Sequence, residues 1–165
     1  MSQDRTLARF SGHPGIDRWN DLLNELAPQY DVPPNLAKAH ILYESGGDPN
    51  IIGGSGRGLG LMQIDYGTNQ VVTSAGATIW IYDGPNGRCA TPFDPRDNIL
   101  IGCRDFIKEN LSAFPDDLNA AIAAYNAGIE AVQKALAEGL TLVAPIVTDS
   151  LYVPHVREAY EWLCS

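Results

Sequence analysis

Apolar residues recur at helical spacing along most of this chain. Ile16, Trp19, Leu22, Leu23, Leu26 and Tyr30 share one face of a 3.6-residue turn, which predicts an amphipathic helix over 16–30. Pro33-Pro34 breaks that run and opens a second helix, expected over 35–45 and stopped by Gly46-Gly47. The clearest stripe is Ile99, Leu100, Cys103, Phe106, Ile107, Leu111 and Phe114, started by Asp94-Pro95 with Asp97 in the first turn and ended by Pro115. An Ala-rich helix is expected over 118–126, another over 129–138 closed by Gly139, and a last one over 152–163 with Tyr152, Val156, Tyr160 and Leu163 on one face. Only Thr78 to Tyr82 (TIWIY) is β-branched and aromatic enough for a strand. The pattern predicts a mainly α fold of about six helices with at most a small β-hairpin or sheet. The expected organisation is a polar arm over 1–14 and a single domain over 15–165.

Composition narrows the function. The 165 residues are 45% hydrophobic and 19% charged, enough to build one core without staples. No stretch approaches the roughly 18 apolar residues of a membrane span. Met1 to Phe10 lacks an apolar signal segment, so no signal peptide is visible; a secreted, extracellular or phage-associated protein is nevertheless expected. The net charge of −9 comes without any basic stripe, which argues against nucleic acid. It also opposes tight binding to anionic cell walls, a penalty that neutral chitin would not impose. The three cysteines, Cys89, Cys103 and Cys164, have no zinc-ligand spacing, and no metal or cofactor is expected. Cys89 and Cys103 read either as a loop-to-helix disulfide or as two small buried hydrophobes. An odd count leaves at least one thiol free in a monomer, the expected state.

Three segments carry possible chemistry. Glu44 lies three residues after Ile41 and seven after Ala37, on the same helix face as those apolar side chains. A carboxyl so placed at a helix C-terminus holds its proton, as a general acid must; the alternative is a solvated glutamate. In Gly58-Leu-Gly-Leu-Met-Gln63-Ile-Asp65 the glycines permit close backbone approach, and Gln63 and Asp65 alternate with apolar residues. That segment reads as a cleft wall or as a buried turn with an Asp cap. In Ala124-Tyr-Asn-Ala-Gly128, Tyr125 and Asn126 are substrate contacts or a core tyrosine and a helix stop. His40 and His155 read as isolated histidines, since no GxSxG elbow accompanies them. Trp80, Tyr82 and Tyr66 would suit a non-catalytic sugar-binding module, or the core.

In their order, Glu44-Ser45, the Gly58–Asp65 segment, Ala124–Gly128 and Tyr152 before a final helix closely resemble goose-type lysozymes, which belong with the lytic transglycosylases in glycoside hydrolase family 23. The resemblance covers roughly 35–160 and implies a lysozyme-like helical domain with a long sugar-binding cleft. It implies Glu44 as the general acid, Asp65 as the holder of an attacking water, and inversion at the anomeric carbon. Ser45, Gln63, Tyr125, Asn126 and Tyr152 match residues that contact sugar or fix the acid. A carboxylate at 65 favours hydrolysis, because lytic transglycosylases typically lack one there and use the substrate's own hydroxyl. The chain departs from the goose pattern in its shorter loop, with Gly54 or Ser55 where animal members carry another aspartate, and in lacking their N-terminal disulfides. A bacterial or phage source is implied. The expected activity is cleavage of β-1,4 bonds in peptidoglycan, with chitinase or lytic transglycosylase as the alternatives.

Overall fold

A computed structural model describes residues 7–65, 70–83, 89–142, 146–147 and 149–165. Among them are eight α-helices and one three-stranded antiparallel sheet of order β1-β2-β3. The architecture is mainly helical, as the periodicity implies. The strands are β1 (Gln70–Val72), β2 (Thr78–Asp83) and β3 (Cys89–Ala90), with Val71 facing Ile79 and Trp80 facing Ala90. Trp80 has no exposed surface, so it belongs to the core and offers no platform for a sugar. Tyr66 and the side chain of Tyr82 lie outside the described residues.

The single helix expected over 16–30 is three pieces: α1 (Pro14–Asp17), α2 (Asn20–Leu26) and a 3-10 turn, Ala27–Tyr30. Pro28 explains the second break, because it lacks an N–H and its ring clashes with the carbonyl four residues back. The chain tightens instead, and Asp31 turns out of it at φ 57°. At the first break, Arg18 Nη2 and Trp19 Nε1 both donate to the Gly47 carbonyl, at 2.9 and 3.0 Å.

Helix α3 (Pro34–Ser45) is the central element, packed chiefly on α8 (Tyr152–Cys164). Pro34 occupies its first turn, and Gly46 closes it in the left-handed conformation at φ 61°. Every residue from Pro34 to Ile41 is buried, Lys38 included. A buried ammonium needs partners. Lys38 Nζ donates to Asp17 Oδ1 at 2.6 Å, to Asn20 Oδ1 at 2.7 Å and to the Arg9 carbonyl. Burial pushes the Asp17 carboxyl up, but hydrogen bonds from Lys38 and Ser11 outweigh it and hold the group at about 2. These bonds, with Ala8 N on Asn24 and Arg9 N on Asn35, tie the irregular segment 7–13 to the domain.

The long stripe forms one rod: α4 (Pro95–Ile101), a π-helical segment Gly102–Ile107, and α5 (Lys108–Ala113). Asp94 caps it, accepting from Arg96 N and Asp97 N. A π-helical stretch shifts the angular register of the helix beyond it, and such stretches cluster at functional sites. Cys103 in this segment is a free, buried thiol whose pKa burial pushes up to about 12, and the side chain of Cys89 lies outside the described residues. Asp117 caps α6 (Leu118–Ala127), whose alanines allow close packing against α5, α8 and α7 (Ile129–Ala137). No described helix is long and apolar enough to cross a membrane.

Candidate active site

A cleft of about 710 Å³ gathers side chains from four parts of the chain. Glu44 comes from the last turn of α3, Gln63 and Asp65 from the Gly-rich segment, Asp105, Phe106 and Asn110 from the long rod, and Tyr125 and Asn126 from the end of α6. Its size lies within the range of ordinary small-ligand sites.

Glu44 is partly buried, and desolvation raises its carboxyl to about 7, against the opposing hydrogen bond with Tyr152. Its place at a helix C-terminus works in the same direction, since the dipole there disfavours an anion. The Tyr152 hydroxyl lies 2.6 Å from Glu44 Oε1 and donates to it when the carboxylate is ionised. Tyr152 is 1% exposed. On the far side of the same hydroxyl, His40 Nδ1 stands at 3.1 Å. Burial pushes the His40 imidazole down to about 3, so the ring is neutral at ordinary pH. His40 is therefore no isolated core histidine. Its spacing four residues before Glu44 was the available signal, because i and i+4 share a helix face. Tyr43 packs edge-on against Tyr152 (5.0 Å, 84°) and donates to Asp149.

Gln63 adopts a positive φ of 47° and turns its amide back into the loop, donating to the Ile51 carbonyl at 3.2 Å and the Gly60 carbonyl at 3.0 Å. A Cβ at Gly53 or Gly58 would come within 2.6 or 2.9 Å of Gln63 Oε1. The glycines there make room for this amide. Asp65 is exposed at the cleft edge and pairs with Arg57 at 2.9 Å. Tyr125 stacks on His40 (4.4 Å) and packs on Phe106 (5.7 Å), and its hydroxyl donates to the Met62 carbonyl at 2.8 Å. It thereby ties α6 to the loop that carries Gln63 and Asp65. Ser45 does not line the cleft; its hydroxyl donates to the Ile41 carbonyl and accepts from Gly47 N, bracing the end of α3.

Asp105, Phe106, Asn110, Ile129 and Glu130 are cleft residues that sequence reasoning missed. Asp105 and Asn110 sit within a stripe read for its apolar members, and the π-helical segment moves the register a regular wheel would assign. Among the described residues no group of three or more His, Cys, Asp or Glu is arranged to hold a metal ion.

The family profile described as the transglycosylase SLT domain matches residues 21–141. The chain is also similar to membrane-bound lytic murein transglycosylase E of Buchnera aphidicola subsp. Acyrthosiphon pisum (strain APS), at 29% identity over 153 residues. The aligned region covers 87% of this chain and 66% of that relative.

Proposed function

This chain belongs to the transglycosylase SLT domain family, and from that premise we propose that its cleft cuts the glycan strands of peptidoglycan by transglycosylation, with Glu44 as the acid. The reading rests on one observation: a carboxyl that burial keeps protonated to about pH 7 faces a cleft and is clasped by a buried tyrosine. Glu44 gives its proton to the glycosidic oxygen as the C1–O bond breaks. The resulting carboxylate takes the proton of the substrate's own hydroxyl as that oxygen bonds to C1. Glu44 ends protonated, an anhydro sugar forms and no water is consumed. One group serves as acid and then base, so a pKa near neutrality suits both halves. Gln63, Tyr125 and Asn126 shape the wall against which the sugar lies. Murein appears in the relative's name, and nothing in the family match favours chitin.

Hydrolysis is the second reading, because Asp65 lines the same cleft as Glu44. The sequence alone puts it first. Two observations favour transglycosylation instead: the family, and the engagement of Asp65 by Arg57 at an exposed edge. Mass spectrometry of fragments from purified peptidoglycan decides between them. Anhydro ends support transglycosylation, and ordinary reducing ends carrying one water overturn it in favour of hydrolysis. Asp65→Asn gives a second check. It should cost less than about tenfold in rate, whereas removing a true general base costs about 10²–10⁴-fold. Chitin oligomers, offered alongside, should remain uncut.

A further inference from the structure

A tyrosine hydroxyl has a single hydrogen to give, and that of Tyr152 lies within reach of two partners. Glu44 Oε1 is 2.6 Å away and His40 Nδ1 is 3.1 Å away. The hydrogen points at one of them, and the choice decides which state of Glu44 is favoured. If it points at Glu44, the carboxylate gains a charge-assisted bond and the proton is easier to lose. If it points at His40, the phenolic oxygen is left as an acceptor facing Glu44, and the carboxylic acid O–H donates to it. A neutral imidazole accepts at Nδ1 only when its proton sits on Nε2.

We propose that His40 is a positioning residue for the acid: in the Nε2–H tautomer it accepts the Tyr152 hydrogen bond at Nδ1, which turns the phenolic oxygen toward Glu44 and holds the carboxyl in its proton-bearing form. The inference rests on Glu44 being the acid of the proposed reaction. His40 touches no substrate; it has no exposed cleft surface and acts through Tyr152. Its ring is fixed for the task by contact with Tyr125 at 4.4 Å and by its place in the fully buried stretch of α3.

Other ionisable groups near the chain do not take over this role. Tyr43 and Tyr125 flank Tyr152, and Tyr43 is committed to Asp149 with His155 beside its ring. Asp65, Asp105 and Glu130 line the same cleft as Glu44, the first two paired with Arg57 and Arg104. Cys103, on the π-helical segment packed against α3, stays a thiol to about 12. Lys38 and Asp17, where α1 meets α3, are bonded to each other.

The test begins with the unaltered protein. Nitrogen-15 NMR of labelled histidine, below the Glu44 midpoint of about 7, should show His40 protonated at Nε2 and bare at Nδ1. A proton on Nδ1 overturns the proposal, whatever the protein does to peptidoglycan. His40→Leu removes the acceptor, so the Tyr152 hydrogen turns to Glu44. Its carboxyl carbon-13 titration and the alkaline limb of kcat/KM should both move down by about one pH unit, the worth of one hydrogen bond. His40→Asn offers an oxygen acceptor in the same place and should bring both back toward the parent. A His40→Leu profile that only loses height, with its midpoint unmoved, makes His40 a packing residue and sinks the idea. If the parent cuts no glycan, the proposed function fails, yet the two NMR readouts still judge His40.

Discussion

Glu44→Gln should lower the rate of peptidoglycan cleavage by about 10²–10⁴-fold while leaving the fold intact. Glutamine has nearly the same shape, and its amide N–H can donate to the Tyr152 oxygen as the protonated carboxyl does, so the cleft keeps its form. What it lacks is a proton that can be given and taken back. The pH dependence comes from the same group. Glu44 titrates at about 7 against an ordinary value of 4.5, so the native state holds a proton that the unfolded chain releases. The parent's activity should therefore fall as pH rises through about 7. Its stability should also decline between 4.5 and 7, because over that window the folded form binds more protons than the unfolded form. Glu44→Gln removes that linkage, and it should unfold at a higher temperature than the parent above pH 7. Release of soluble fragments and thermal melts followed by circular dichroism measure both. A folded variant that retains more than a tenth of the parent rate would remove Glu44 from the mechanism.

The fold and the site are not equally legible in the sequence. Helices α3, α6 and α7 are readable because a proline, an Asp cap or glycines bracket each run, and α8 because Tyr152, Val156, Tyr160 and Leu163 share one face. Glu44 stands out by its spacing from Ile41 and by its place in an ordered series of motifs. The segment 16–30 reads as one helix because its apolar period continues across Pro28, and periodicity does not register a missing donor. The π-helical segment Gly102–Ile107 is invisible for a related reason: a hydrophobic wheel assumes a constant 3.6-residue turn. Ser45 is drawn to the site by its neighbour in the motif, yet its hydroxyl caps backbone behind the acid. His40 taken alone is a lone histidine in a helix, which reads as core. Its meaning depends on Tyr152, 112 residues further on, which no local pattern reveals.

Asn98→Ala should destabilise the protein by about 3 kcal/mol or more, a large part of the total for a domain of this size. Asn98 is wholly buried in α4, and both ends of its amide are committed to backbone. Its oxygen accepts from Met62 N at 2.8 Å, and its nitrogen donates to the Leu59 carbonyl at 2.9 Å and the Pro92 carbonyl at 2.8 Å. Alanine would orphan the Met62 N–H and the Pro92 carbonyl in a place that water does not reach, and would leave the Leu59 carbonyl with only its bond from Ile64 N at 3.2 Å. Each such group costs about 1–3 kcal/mol, and local relaxation recovers only part of it. Gly60 sits against this same amide in the left-handed conformation, at φ 73°, and a Cβ there would collide with both the Asn98 amide and the Pro92 carbonyl. The fold thus closes around one side chain, and the loop it grips carries Gln63 and Asp65 and receives the Tyr125 hydroxyl on Met62. Asn98→Asp should be little better, because its second oxygen would face two carbonyl oxygens with nothing to donate. Denaturant unfolding gives the loss of stability. Hydrogen exchange places it, since the amides of 59–64 should lose protection before those of α3 and α8 do. Asn98→Ala that unfolds within about 0.5 kcal/mol of the parent, the scatter of ordinary surface changes, would show that the loop is held by its buried leucines rather than by this amide. Stability and activity should fall together in this variant, while in Glu44→Gln they part, and that difference separates the residue that holds the cleft from the residue that works in it.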